Sequence, residues 1–273
     1  MRMITGAAYT ATIHHDTYPL VTAANCKEQK NRAVFITGAS RGIGRACAVA
    51  FAQAGASAIA IGARATLDPV EKAILEEAAK ADHPAPKVLK RTLDVSDEKN
   101  VASAFAQTEQ SFGRLDILVN DAGRLENGFP LADTDSTSWW AAWEVNVARR
   151  QLSISTRSGA PVPAGCLGLP DGKLAICRLT EFTSVEYGGQ GVVAIAVHPG
   201  AVDTELIKTL PVQYHTNLVD APELAADTIE WLTREKQGWL NGRYRSADWD
   251  MEEIMSRKDE IVEGNKLRVR LVL

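Results

Sequence analysis

The stretch that most constrains this chain is Val34-Phe-Ile-Thr-Gly-Ala-Ser-Arg-Gly-Ile-Gly-Arg-Ala-Cys-Ala48. The apolar run from Ala33 to Ile36 has the length of a buried strand. The chain then turns through Gly38, Gly42 and Gly44 into a helical pattern that continues to about Ala54. A strand, a Gly-rich turn and a helix in that order make a phosphate cradle. Backbone N–H groups of the turn approach the ligand, and the helix N-terminus adds partial positive charge. Glycine is needed where φ is positive or where a Cβ would strike a pyrophosphate. The Gly-x-x-x-Gly-x-Gly spacing differs from the Gly-x-Gly-x-x-Gly fingerprint. An ordinary Gly-rich turn is the plain alternative, but the strand before it and the helix after it argue for a bound nucleotide.

Size and charge narrow the choice further. A chain of 273 residues suits one α/β domain with a large core, or at most two small ones. The net charge of −4 offers no basic field for nucleic acid or an anionic membrane surface. No apolar run approaches the length of a spanning helix, and the N-terminus lacks the pattern of a secretory signal. Cys26, Cys47, Cys166 and Cys177 form no C-x-x-C pair and read as reduced thiols of a cytoplasmic protein.

Residues 1–31 read as a polar arm ahead of the first strand, packed along the body or helping a partner subunit bind. Its His14-His15-Asp16-Thr17-Tyr18-Pro19 invites a metal reading, which adjacent histidines seldom satisfy, and no metal is expected. The second apolar run, Ala58 to Gly62, ends in Gly62-Ala63-Arg64. Dinucleotide folds place an acid here for a ribose 2′-OH, or a nearby Arg for a 2′-phosphate. No acid occurs until Asp68, and Arg41 lies in the Gly turn, so the pattern favours NADP(H) over NAD(H). A merely solvated Arg64 is the plain alternative.

An amphipathic helix over 67–80 precedes a His-Pro-Ala-Pro breaker. A strand from Val88 ends at Leu93-Asp94-Val95, and Ser96 reads as the N-cap of a helix reaching about Phe112. A strand over 115–120 runs into Asn120-Asp121-Ala122-Gly123. Residues 138–147 read as a helix whose Trp139, Trp140 and Trp143 pack in the core or an interface. A helix over 173–187 and a strand over 191–197 lead to His198-Pro199-Gly200. Residues 222–234 form a helix with Pro at its start, then comes a last strand after Trp239. The tail, Lys266 to Leu273, alternates apolar and basic residues as an edge strand or subunit contact would, its charges forming a solvated face.

Thr37-Gly38-Ala39-Ser40-Arg41-Gly42-Ile43-Gly44, Asn120-Asp121-Ala122-Gly123, Asn146 in Val-Asn-Val, and Lys173 to Phe182 together resemble the short-chain dehydrogenase/reductase family, over about 32–147 and 173–250. Fungal members have a similar His-His-Asp-Thr-Tyr-Pro arm and a similar tail. The resemblance implies a Rossmann-type doubly wound parallel sheet in three α/β/α layers over 32–250, with an arm over 1–31 and a tail over 251–273. It implies hydride transfer between NADP(H) and a small carbonyl or alcohol substrate, in a homodimer or homotetramer. It places Gly38, Ser40, Arg41, Gly42, Ile43, Gly44 and Arg64 at the cofactor, with Asp94 and Val95 at the adenine. Asn120, Ala122 and Gly123 lie beside the cofactor, and Pro199, Gly200 and Thr204 at its nicotinamide end. The segment over 206–220 corresponds to a mobile substrate lid. Asp121 departs from the usual Asn and removes a donor unless it is protonated or reoriented.

The resemblance breaks between Ala148 and Gly172. Asn146 would hold a water that connects the catalytic lysine, Lys173, to solvent. A catalytic Tyr belongs four residues before Lys173, but Leu169 stands there. None of the tyrosines, at 9, 18, 187, 214 and 244, has a Lys four residues later. Thirteen residues before Leu169, Thr156 supplies a hydroxyl where a Ser is expected. Asn146 and Thr156 are too close in sequence for the helix end and strand between them, and Gln151 to Ser155 is too polar for a strand covered on both faces. Three readings follow: an NADP-dependent oxidoreductase weakened by its missing acid, a non-catalytic dinucleotide-binding protein, or a misread exon that has lost the middle of an active enzyme.

Overall fold

A computed structural model describes residues 9–125, 134–148, 168–210, 212, 215 and 217–271. The chain divides into two units. One comprises Asp16–Gly123 and Ala221–Glu235. The other comprises Met1–His15, Arg124–Asp220 and Lys236–Leu273.

The first unit is a parallel sheet with helices. Its strands are β1 (Ala33–Thr37), β2 (Ala58–Ala63), β3 (Lys87–Thr92) and β4 (Ile117–Asn120). They lie in the order β3-β2-β1-β4. All of β1 is buried, and β2 is buried from Ile59 onward. This is the continuous apolar run expected of a parallel strand covered on both faces. Phe35, Ile36, Ile59 and Ile61 are fully buried, each worth roughly 1.5–3 kcal/mol relative to exposure. β3 is an exposed edge, which explains its Lys-Val-Leu-Lys-Arg-Thr composition. The intervening helices are α1 (Gly42–Gln53), α2 (Asp68–Lys80) and α3 (Glu98–Phe112). α1 packs against α2 and α6 (Pro222–Arg234).

The chain lays β1, β2 and β3 in one direction and then returns to place β4 on the other side of β1. Ligands of open α/β sheets bind at such a reversal, outside the carboxyl ends of the strands. The register sets Thr37 level with Gly62 and Asn120, so the turns after β1, β2 and β4 share one edge.

Three boundaries correct the sequence expectations. Asp97, not Ser96, caps α3: its carboxylate accepts from the N–H groups of Lys99 and Asn100. Ser96 instead donates its hydroxyl to Asp94 Oδ1 at 2.6 Å. An ionised acceptor one residue later displaces a weaker hydroxyl cap. The helix expected over 173–187 begins earlier, as α5 (Gly168–Tyr187). Pro170 is tolerated there because first-turn N–H groups have no intrahelical partner. Finally, 266–271 is irregular and not an edge strand. Arg270 pairs with Glu181 and Arg268 donates to the Asn241 carbonyl, so the tail is held by side chains.

The second unit contains α4 (Ser136–Trp143), a π-helical turn (Glu144–Ala148), α5, and the parallel pair β5 (Ile195–His198) and β6 (Arg243–Ser246), followed by α7 (Met251–Ser256) and α8 (Lys258–Glu263). Trp139, Trp140 and Trp143 contact one another along α4. Gln151 to Ser155, Thr156 and Cys166 lie outside the described residues.

The arm is polar because its backbone and side chains are used as hydrogen-bonding groups. In the first unit, Arg234 donates to the carbonyls of Val21 and Thr22, and the buried Gln29 donates to Glu230 Oε1 at 2.8 Å. In the second unit, Ile13 bridges antiparallel to Trp249, and Ala11 and Thr12 donate their N–H groups to Glu253.

Candidate active site

The turn between β1 and α1 is built on close backbone approach. Gly38 has φ +71°, and a Cβ there would lie 2.7 Å from the backbone nitrogen of Ala122. Gly42 also has positive φ. A Cβ on Gly44 would lie 2.6 Å from the Gly38 carbonyl oxygen. Thr37 Oγ1 accepts from the N–H of Ala122 at 3.2 Å, and Ala39 N–H donates to the Gly62 carbonyl. The Gly turn, the end of β2 and the Asn120–Gly123 loop are therefore one assembly. Arg41 caps α1 without a side-chain acceptor, and the first turn holds no acid. The backbone N–H groups of a helix start are suited to an anionic ligand. Ser40 and Ile43 complete the turn.

Arg64 is exposed at the end of β2, and Arg41 is exposed at the turn. Asp94, half-buried after β3, accepts from the hydroxyl and N–H of Ser96. These bonds, and then the Arg64 guanidinium, hold its carboxyl below the usual range against the opposing effect of burial. Val95 beside it is buried. Asn120 is 3% exposed, yet among the described residues neither its Nδ2 nor its Oδ1 has a hydrogen-bond partner. Asp121 sends Oδ2 to within 2.8 Å of the position a Gly44 Cβ would take. Burial, and then the Asp121 charge, raise the Cys47 thiol well above its ordinary range.

In the second unit, Asn146 lies in the π-helical turn, an element that frequently marks functional positions. It is buried and clamps one backbone unit: Nδ2 donates to the Arg124 carbonyl at 2.8 Å, and Oδ1 accepts the Arg124 N–H at 3.0 Å. This turn packs against α5, which carries Lys173. Leu169 lies one helical turn before Lys173. After β5, Gly200 has φ +92° and donates its N–H to His198 Nδ1 at 2.9 Å. Thr204 Oγ1 accepts from Ile207 N–H at 3.4 Å. Tyr214, within the expected lid, lies outside the described residues.

Sequence reasoning missed Asp220, whose partner lies far away in the chain. His14 pairs with Asp250 and His15 with Asp220, so they face different carboxylates. Among the described residues, no group of three or more His, Cys, Asp and Glu side chains is placed to hold a metal ion. No helix among them is long and apolar enough to cross a membrane.

The short chain dehydrogenase family model matches residues 32–149. The chain is 55% identical to the short chain dehydrogenase mpl6 of Monascus purpureus over 286 aligned positions, covering 98% of each. It is 37% identical to the short chain dehydrogenase andI of Emericella variicolor over 279 positions, covering 94% of each. Since 98% of this chain is about 268 residues, about 18 positions of the first alignment face a gap here. For the second, 94% is about 257 residues, leaving about 22. Levodione reductase shares the fold, with a TM-score of 0.71 at 23% identity over 80% of this chain and 96% of its own. With its strand–glycine turn–helix on a parallel sheet and relatives matching nearly its whole length, this chain belongs to the short-chain dehydrogenase/reductase family of NAD(P)-using oxidoreductases.

Proposed function

We propose that this chain binds NADP(H) as a family oxidoreductase for a small carbonyl or alcohol substrate, with its turnover sharply reduced. The carrying observation is Leu169, a hydrocarbon one helical turn before Lys173. The cradle fits a dinucleotide: its glycines leave no room for Cβ atoms, and the first turn of α1 carries no acidic residue. Gly38 to Gly44 take the phosphates, and Asp94 and Val95 the adenine. Asn120, Ala122 and Gly123 wall the cofactor, while Pro199, Gly200 and Thr204 hold its nicotinamide end. Arg41 and Arg64, with no acid at the end of β2, favour the 2′-phosphate of NADP(H).

The bound nicotinamide supplies or accepts the hydride at the substrate carbon. The protein's part is to deliver a proton to the carbonyl oxygen and to orient the reactants. In the family a Tyr donates that proton, and the neighbouring Lys lowers its pKa by favouring phenolate. Lys173 is the lysine of that pair here, Asn146 takes the place of the family's water-holding Asn, and Thr156 offers a hydroxyl. Leu169 donates nothing. Loss of a positioned acid costs about 10²–10⁴ in rate, or roughly 3–5 kcal/mol.

The test is the pure chain with NADPH and a panel of aldehydes and ketones. NADPH binding with little or no turnover is expected. Ordinary turnover, about 1–10³ per second, refutes the weakened site, and failure to bind either dinucleotide refutes the whole reading.

The alignment gaps favour a second reading, in which this sequence comes from a misread exon of an active reductase. Peptide mass mapping across residues 140–180 of the protein from its natural source separates the two. The peptide Ser158 to Lys173 as written supports a genuine variant; a longer segment with Tyr four residues before the Lys supports an ordinary enzyme. The free thiols of Cys26, Cys47 and Cys177 support a cytoplasmic location, and the family supports a homodimer or homotetramer with 32–250 as the catalytic domain.

A further inference from the structure

We propose that His15 is a positioning residue that locks the Pro199–Gly200 turn through Asp220. The arm is carried to this place by contacts on residues 249–257. Ile13 bridges Trp249, His14 Nε2 lies 2.8 Å from Asp250 Oδ2, and the Arg257 guanidinium sits 4.0 Å from the centre of the Tyr9 ring. The arm then presents His15 Nδ1 at 2.6 Å from Asp220 Oδ1.

Asp220 is where that contact becomes consequential. Its Oδ2 accepts the Ala201 N–H, its own N–H donates to the Ala201 carbonyl at 3.2 Å, and it bridges Val202 in parallel. A Cβ on Gly200 would lie 2.5 Å from Asp220 Oδ2, so the carboxylate fills the space a side chain would take. From the other side, His198 Nδ1 accepts the Gly200 N–H, and Ser246 Oγ lies 3.2 Å from the same nitrogen. The Pro-Gly turn is thus held between a histidine of β5 and a buried aspartate. The Asp220 side chain is 5% exposed and that of His15 is 59% exposed. The histidine is therefore the removable half of the pair. Freeing the carboxylate from it lets Asp220 and the turn relax, which costs preorganisation of whatever the turn binds.

This proposal rests on the reading that residues 199–204 hold the nicotinamide end of NADP(H). The test compares wild type, His15→Ala and His15→Asn as full chains, after thermal melts establish that all fold. Asn retains an N–H donor near the place of Nδ1. Affinities are measured for NADPH and for adenosine 2′,5′-bisphosphate, which has no nicotinamide end. Amide exchange is measured for the peptide covering 199–204. The expected result for His15→Ala is about fivefold to tenfold weaker NADPH binding, bisphosphate affinity within about twofold of wild type, and faster exchange at 199–204. His15→Asn restores both. Unchanged exchange at 199–204 overturns the lock, as does an equal loss for both ligands. A wild-type chain that binds the bisphosphate but gains nothing from the nicotinamide half refutes the assignment of 199–204 instead, while the exchange result still decides the lock.

Discussion

Gly38 and Ala122 meet so closely that a Cβ on residue 38 would lie 2.7 Å from the Ala122 nitrogen and 2.9 Å from its Cα. Both neighbours are backbone, so nothing swings aside. Gly38→Ala also places an L side chain at φ +71°. Left-handed backbone costs about 1–2 kcal/mol for a non-glycine residue, and overpacking about 1–3 more. A loss of about 2–5 kcal/mol in urea unfolding is expected, together with loss of NADPH binding. A variant with wild-type stability and affinity would show that the turn does not adopt this geometry.

Asp227 on α6 is buried beside Thr17, whose hydroxyl donates to its Oδ2. Burial pushes its carboxyl up to about 6 from 3.8, outweighing the opposing bonds from Thr17 and the Ala23 N–H. Between those values the folded chain holds a proton that the unfolded chain releases, so stability falls as pH rises from about 4 through 6. Two units correspond to about 3 kcal/mol. Asp227→Asn removes the titration and is expected to stabilise the chain by about 1–3 kcal/mol at pH 7.5 relative to its effect at pH 4. Chemical unfolding at both values decides it; a difference independent of pH rejects the argument.

Asn120 buries an amide that has no hydrogen-bond partner at either end among the described residues. An unsatisfied buried polar group costs about 1–3 kcal/mol. Asn120→Leu is therefore expected to raise stability by about 1–2 kcal/mol in this chain. A clear loss of stability in unfolding curves would mean that the amide has a partner in solution.

Leu169→Tyr returns a phenol to the position one turn before Lys173. It is expected to raise carbonyl reduction only slightly, because Asn146 and Thr156 stand too close in sequence for the helix end and strand that would place the site between them. Turnover of about 1–10³ per second in the single variant would refute this.

Arg64→Ala tests the cofactor preference. Losing one exposed guanidinium is expected to weaken NADPH by about tenfold and leave NADH unchanged. Equal effects on both dinucleotides count against a 2′-phosphate contact.

The dinucleotide half was legible because its determinants are local. The apolar runs of β1 and β2, the glycines at 38, 42 and 44, and Pro222 at the start of α6 each act within a few residues. A strand buried on both faces has to be continuously apolar, and a turn with positive φ has to be glycine. What the tertiary structure decided is pairing over long separations. His15 with Asp220, Thr17 with Asp227, and Asn146 with the Arg124 backbone join residues whose types allow many partners. Charge and hydrogen-bonding capacity are written in the chain, but which donor meets which acceptor depends on where the strands and helices carry them. The His-His-Asp-Thr-Tyr-Pro arm shows the difference: its sequence invites a metal reading, and only the fold distributes its side chains among three separate aspartates.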